Sequence, residues 1–466
     1  MSDVYHPAAR GVDAPMPAGN RLAMVAVMLA VALATLDTAI ANTALPAIAA
    51  DLHATSAESV WVVNAYQLAM VATILPFAAL GDVLGHRRVY IGGLALFTVA
   101  SLACAAAPTL PLLAAARLLQ GLGGSAITSV SIALVSALYP RHRLGRGVGV
   151  NALVVGVSVA VGPTIASLIL STASWSWLFM INVPLGLIGL AFALPALPRT
   201  AKGAHPFDPI AALLSVITFA SLIFALGEGG QRAPAAHVFG ALALALVFGA
   251  GLMRREAGRL APMLPVDLLR RPVFALSAVT AVCGFAAQGF AFVSLPFYFE
   301  DVLHRSQIET GFLITPWPVV VAIVAPIAGR LSDRYPPGVL GATGLACLCA
   351  GLVSLALMPA DPSVYAIAGR MALCGVGFGL FQSPNIKALM ASAPHARSGG
   401  ASGVVATSRL IGQATGAALV ALCFGVAGRH GSTLALAGGA MFAGVGCIAS
   451  GLRLLASSHR LGSAGE

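Results

Sequence analysis

The sequence predicts an all-α integral membrane protein: two six-helix bundles with two further spans inserted between them, fourteen transmembrane helices in all. Three observations predict it. First, 58% of the 466 residues are hydrophobic and only 9% are charged, with a mean hydropathy of +0.91. That is too little charge to cover a soluble surface of this size. Second, apolar runs of about 18 residues or more recur from end to end, the length that crosses a bilayer as a helix. Third, a sparse set of polar marks repeats at nearly one spacing. Leu80-Gly81-Asp82 returns as Leu331-Ser332-Asp333, 251 residues on. Arg117, before Gly121 and Gly123, returns 253 residues on as Arg370, before Gly375 and Gly377; Gly162 returns as Gly416, 254 on. Two homologous halves account for this, and paired bundles of that kind hold a substrate cavity between them.

In chain order, a tail of residues 1–20 precedes spans at 21–43, 58–80, 88–107, 110–138, 147–171 and 177–197, an N-terminal bundle within 21–206. Spans at 209–226 and 236–253 form an inserted segment, 207–271, which ends in a basic loop. Spans at 273–299, 308–329, 338–358, 362–391, 401–427 and 432–456 form a C-terminal bundle within 272–456, followed by a tail of 457–466. Residues 1–20 lack the features of a removable signal, so the first span is expected to remain as an anchor. With both termini inside, 20 of the 26 Lys and Arg residues fall on inner segments. Only Arg232, Arg305 and Arg429 fall outside, and Arg117, Arg370 and Arg409 lie within spans. Positive charge resists translocation, so this asymmetry orients the chain with both termini cytoplasmic. It also explains the net charge of +10 without a nucleic-acid partner. Trp61, Trp175 and Trp177 are expected at the outer interface. The excess of Arg over Lys, with abundant Ala and Gly, points to a GC-rich bacterial gene and hence a bacterial inner membrane.

The seven cysteines fall in apolar runs with no metal-ligand spacing to His, and read as small apolar fillers. Neither lysine follows glycine, so no phosphate loop for ATP drive exists. A membrane-embedded enzyme or sensor would need a polar catalytic cluster or a soluble domain, and no His lies deep in a span.

Asp37 is the one carboxylate deep within a span. It should face water or a partner, because an isolated ion in lipid is costly. Two roles fit: a reversible proton carrier, or a fixed ion pair with Arg117 or Arg409. Arg117 with Gln120 and Gly121 makes a polar patch at helical spacing, suited to a proton relay or to hydrogen bonding between helices. Gly81-Asp82-Val83-Leu84-Gly85-His86-Arg87-Arg88 reads as a tight inner turn. Asp82 could dock on a helix N-terminus, such as the start of the 401–427 span, and Asp333-Arg334 repeats the pattern. Ser158, Gly162, Pro163, Ala166 and Ser167 form a small-residue stripe with a bending proline. Asn42, Tyr66, Gln67, Gln288, Trp317 and Asn385 are candidates for the cavity wall, though ordinary interhelical hydrogen bonding or packing is the commoner role for any one of them.

Together these features resemble the major facilitator superfamily, and within it the fourteen-helix drug:proton antiporters of the EmrB/QacA type. Leu36-Asp37-Thr38 through Asn42 to Pro46 is similar to that branch's first-helix signature. Residues 78–88 resemble the superfamily's inner-loop motif, Arg117 to Gly123 its fourth-helix motif, and 158–167 the fifth-helix antiporter motif. Trp175-Ser176-Trp177 through Asn182 to Gly186 resembles a further marker. The resemblance implies the major facilitator fold, with Asp37 as the protonatable acid and Arg117 as its relay partner. Asp82, Gly85, Arg87 and Arg88, echoed by Asp333 and Arg334, would form a conformational latch. Gly162, Pro163 and Gly416 would support alternating access. It also implies a monomer that exports small amphipathic drugs, biocides or metabolites in exchange for protons, with no metal and no cofactor beyond the proton gradient. Import or facilitated diffusion of a metabolite on the same fold is the alternative. Ser158, Ala166, Ser167 and Ser176 depart from the motifs, and further membrane acids are missing, which disfavours polycations as cargo.

Overall fold

Backbone polar groups in a bilayer have no water to bond, so long apolar runs satisfy themselves as helices. In the computed structural model, which describes residues 18–138, 144–199, 207–228, 235–256, 266–359, 361–392 and 398–462, every regular element is helical. They are α1 (Ala18–Asp51), the short α2 (Ser56–Ser59), α3 (Trp61–Leu84), α4 (His86–Ala105), α5 (Leu110–Leu138) and α6 (Leu144–Leu170). Next come the short α7 (Ser176–Met180), α8 (Asn182–Ala196), α9 (Pro209–Glu228), α10 (Ala235–Glu256) and the short α11 (Val266–Leu269). α12 (Pro272–Phe297) runs into a π turn at Tyr298–Val302, followed by α13 (Gln307–Ile314) and α14 (Pro316–Leu331). α15 (Pro337–Ala356), α16 (Val364–Ser392), α17 (Ser398–Ala427) and α18 (Gly431–Gly462) complete the chain.

Thirteen segments of the described residues are long and apolar enough to cross a membrane, and Pro209–Ala225 forms a shorter apolar helix where the sequence predicts a fourteenth span. The expected tail at 1–17, the loops at 200–206, 229–234 and 257–265, and residues 463–466 lie outside the described residues.

The helices pack in two similar sets. In the first, α1 packs on α6 and α8, while α3 and α4 pack on α5. In the second, α12 packs on α17 and α18, α15 on α16 and α18, and α14 on α16. The inserted α9 and α10 pair with each other, and α9 lies against both α3 and α17. Gly162 and Gly416, the matched pair of the repeat, hold equivalent contacts. A Cβ at Gly162 of α6 would lie 2.5 Å from Ala39 Cβ on α1, and one at Gly416 of α17 would lie 2.3 Å from the Ala286 carbonyl oxygen on α12. A further match emerges at the helix starts. Thr55 and Glu58 form a capping box on α2, and Ser306 and Glu309 form one on α13, each 251 residues apart.

One expectation about the spans is corrected. Arg453, counted with the inner segments, is buried in α18, where it donates to Asn385 Oδ1 at 2.7 Å and Ser277 Oγ at 3.0 Å. Trp175 is buried, its Nε1 donating to Asp51 Oδ2 at 2.7 Å at the end of α1, whereas Trp177 is exposed. The span expected at 308–329 is one apolar segment, Gln307–Leu331, with a turn at Thr315 before Pro316, which has no backbone N–H.

Candidate functional site

A cavity lies between the two helix sets, walled by α1, α3, α5 and α6 on one side and by α12 and α17 on the other. Asn42, Tyr66, Gln67 and Gln288 line it, as the sequence suggests. Trp317 and Asn385 do not. Trp317 is fully buried among the rings of Phe292 and Phe378, with centroids 5.3 and 6.5 Å away. Asn385 belongs to the Arg453 cluster and donates to the Ser277 carbonyl at 3.0 Å. Thr38, Arg409 and Gln413 line the cavity unforeseen, and among the described residues no Asp or Glu does.

Directly behind this wall sits Asp37, 1% exposed. Its Oδ2 pairs with Arg117 Nη1, while Oδ1 accepts hydrogen bonds from Gln120 Nε2 and Asn182 Nδ2, both at 2.8 Å. Arg117 also donates from Nε to the Val62 carbonyl at 3.0 Å and lies over the Tyr66 ring, 4.3 Å from its centroid. Gln120 continues the network by donating to Ser101 Oγ at 2.9 Å and accepting from Cys104 Sγ at 3.5 Å. The network thus ties α1, α3, α4, α5 and α8 together. Every lone pair and donor it satisfies would be costly to strand in apolar surroundings, so it must form or break as a unit. Of the two roles open to Asp37, this conformation contains the ion pair with Arg117, and Arg409 stands apart from it. Asn182, quoted only as part of a motif, is the functional neighbour that sequence reasoning passed over. An amide inside an apolar run was its signal.

The end of the molecule that the charge pattern assigns to the outside is sealed. Ile40, Leu45 and Ile48 of α1 share an apolar cluster with Phe297, Val420 and Phe424 of the second set, and the Phe297 and Phe424 rings meet at 5.0 Å. Thr164 Oγ1 of α6 hydrogen-bonds Thr315 Oγ1 at 2.8 Å, bridging the two sets. At the opposite end, Gly85 turns α3 into α4 with φ 94°, a conformation that favours glycine. Asp82 is exposed with His86 Nε2 at 3.7 Å, and among the described residues it makes no contact with another helix that an ion pair or hydrogen bond would mark. Arg87 donates to the Leu194 carbonyl in the last turn of α8, and Arg88 is exposed. In the second copy, Asp333 pairs with Lys387 of α16, which also donates to the Ser332 carbonyl at 3.0 Å, while Arg334 is exposed. Pro163 lies in α6 beside the tight contact with α13.

Comparison with known proteins agrees with this architecture. The chain is 49% identical over 434 residues to the uncharacterized transporter YebQ of Escherichia coli, covering 93% of this chain and 95% of that one. It is 30% identical to the riboflavin transporter RibZ of Clostridioides difficile, covering 86% and 88%. It is 31% identical to the multidrug resistance protein Stp of Mycobacterium tuberculosis, covering 86% and 75%. A crystal structure of a bacterial homolog to the human lysosomal transporter Spinster, in an inward-facing and unoccupied conformation, superposes with a TM-score of 0.67 at 13% identity. It covers 95% of this chain and 98% of that one, a likeness of fold. The Major Facilitator Superfamily profile matches residues 27–417, so the chain belongs to that superfamily and is a membrane transporter rather than an enzyme.

Proposed function

We propose that the protein is a proton-coupled exporter of small amphipathic drugs, biocides or metabolites, working by alternating access in the bacterial inner membrane with both termini cytoplasmic. The observation that carries this reading is Asp37: a buried carboxylate whose next residue, Thr38, lines the central cavity. Ionised, it holds α1 against α5 and α8 through Arg117, Gln120 and Asn182. A proton arriving at Asp37 cancels the attraction to Arg117 and loosens α1. Because α1 also carries the cavity wall and the Ala39 contact with Gly162 of α6, that loosening reaches both the substrate and the packing between moving helices. The sealed outer end and the undocked Asp82 then describe a state open to the cytoplasm, and docking of Asp82 belongs to the opposite state. The inserted pair α9–α10 brings the spans to fourteen in this reading, with bundles at 21–206 and 272–456 around a segment at 207–271. Its relatives include a protein named for multidrug resistance, which supports export.

Everted vesicles acidified by respiration, reporting through a pH-sensitive dye, test it. A compound that discharges the gradient with the native protein and fails to do so with Asp37→Asn is the expected result. Undiminished discharge by Asp37→Asn would refute the role of Asp37. The relative named as a riboflavin transporter favours a second reading, a carrier for one metabolite. Counterflow in oriented vesicles gives its direction.

A further inference from the structure

Resting on the transport reading above, we infer that the cavity binds an organic anion, its carboxylate, sulfonate or phosphate head held by Arg409. Arg409 lines the cavity from the middle of α17, partly buried, and makes no hydrogen bond or ion pair among the described residues. Among the described residues no Asp or Glu lines the cavity, and the nearby Asp37 is already neutralised by Arg117. A guanidinium facing a cavity inside a membrane protein is stabilised by a counter-charge. The described chain offers none, which leaves the guanidinium available to an anionic occupant.

The repeat shows that packing does not require a cation at this place. Val155 of α6 stands 254 residues before Arg409 and lines the same cavity from the first half. A valine therefore fills the equivalent position. One turn along α17, Gln413 donates to Gln288 Oε1 of α12 at 3.1 Å. Whichever way the two amides are turned, the pair keeps one NH2 and one carbonyl oxygen for a ligand. Arg409 offers a planar fork that matches a two-oxygen anion, and the amide NH2 adds a neutral donor beside it. Phe292, Val293 and Val159 supply apolar wall for the body of the molecule.

The test is equilibrium binding to the purified full chain in phosphatidylcholine nanodiscs. The probes share one apolar body: naphthoate, naphthalenesulfonate and naphthyl phosphate against naphthamide and naphthylmethylammonium. At least one anion should bind tenfold or more tightly than naphthamide. Arg409→Gln should weaken that anion about 10- to 100-fold, the range for a charged hydrogen bond, while Arg409→Lys keeps part of the preference and the outer-loop control Arg305→Gln keeps all of it. Gln413→Glu, which places a carboxylate one turn from Arg409, should weaken the anion about tenfold more than it weakens naphthamide, so the inference is tested even where Arg409→Gln fails to fold. Equal affinity for anion and amide, or a preference that survives both Arg409→Gln and Gln413→Glu, overturns it. Adding phosphatidylglycerol separates the sources of such a head: displacement of the probe assigns the site to an anionic lipid, and no displacement assigns it to a soluble anion. The same compounds in the everted-vesicle assay separate this inference from the export reading. Anions that bind through Arg409 without discharging the gradient sink proton export alone. Neutral or cationic compounds discharged equally by native and Arg409→Gln protein sink the anion site alone.

Discussion

Asp37→Asn alters a single atom of the carboxylate, yet the surroundings leave the amide no good orientation. If its oxygen takes the place of Oδ1, facing Gln120 and Asn182, its NH2 points at the Arg117 guanidinium. If its oxygen faces Arg117 instead, the NH2 meets two donors. Either way a buried cation loses its counter-charge, which costs about 3–5 kcal/mol. Arg117→Gln leaves Asp37 buried without its cation and should cost about as much. The double variant strands neither charge. Its cost should therefore fall short of the sum of the singles by at least about 2 kcal/mol.

Cys104 reads this directly. It is buried, free, and bonded to Gln120 within the network. Alkylation by a maleimide requires the network to open, and peptide mass analysis distinguishes Cys104 from the other six cysteines. At 1.4 kcal/mol per decade, each single variant should raise the Cys104 rate by about 100- to several-thousand-fold. The double variant should be markedly slower than the product of the two. A double-variant rate equal to that product would show that Asp37 and Arg117 act independently, and the unit described above would not exist.

Gly162→Val and Gly416→Val should each force α6 off α1 or α17 off α12, a strain of about 1–3 kcal/mol or more, and should cut transport in the vesicle assay. Gly156→Ala, which meets nothing within 4 Å, should be silent. Asp82→Asn should lower turnover more than substrate affinity, because among the described residues Asp82 meets only His86 in this conformation and a latch would act in the opposite one; a pure loss of affinity counts against the latch. Single cysteines at 199–206 and 254–271 should label from the cytoplasm and at 228–232 from outside; the reverse pattern would remove α9 and α10 as a transmembrane pair.

The spans were legible because hydropathy is a one-dimensional signal: the order of the long helices follows from local composition alone. The repeat was legible at charged and glycine positions, where few alternatives occupy the same place. Of the partners of Asp37, Arg117 was one of two candidates, but the hydrogen bonds from Gln120 and Asn182 were not legible, since these lie 83 and 145 residues away on α5 and α8. Only packing brings them together. Trp317 misled for a related reason. It stands 251 residues after Tyr66, so it occupies the matching place in the second half. Its larger ring, however, finds Phe292 and Phe378 and turns into the core, where Tyr66 stays on the cavity wall. Arg453 was read as a loop charge because it sits near a helix end. Its partners Ser277 and Asn385 come from α12 and α16, distant in sequence.

Projecting the repeat onto the site shows a division of labour between the halves. Gln288 stands 251 residues after Asp37, so the second half has an amide where the first has its acid. Arg370, the counterpart of Arg117 in the sequence repeat, donates to its own Ala366 carbonyl at 3.0 Å. In the packing the offset on this helix is 254, since Gly121 lies against the Tyr66 carbonyl and Gly375 against that of Trp317, so Met371 and Cys374 take the places of Arg117 and Gln120. A thioether and a thiol thus stand in the second half where the first has its charged network. In exchange, Val155 and Val159 of the first half face Arg409 and Gln413 of the second, each 254 residues apart and all four on the cavity wall. Two copies of one fold therefore carry opposite charges at different positions. On the proposed reading the acid is enclosed within one bundle, where a proton would change how its helices hold together. Arg409, with no ion pair among the described residues, is on the other, where a ligand can reach it. A proton and an anionic substrate would then not compete for one group. Coupling between them would run through α1, which holds Asp37 and carries part of the cavity wall, and through Tyr66, which lies under Arg117 and lines the cavity.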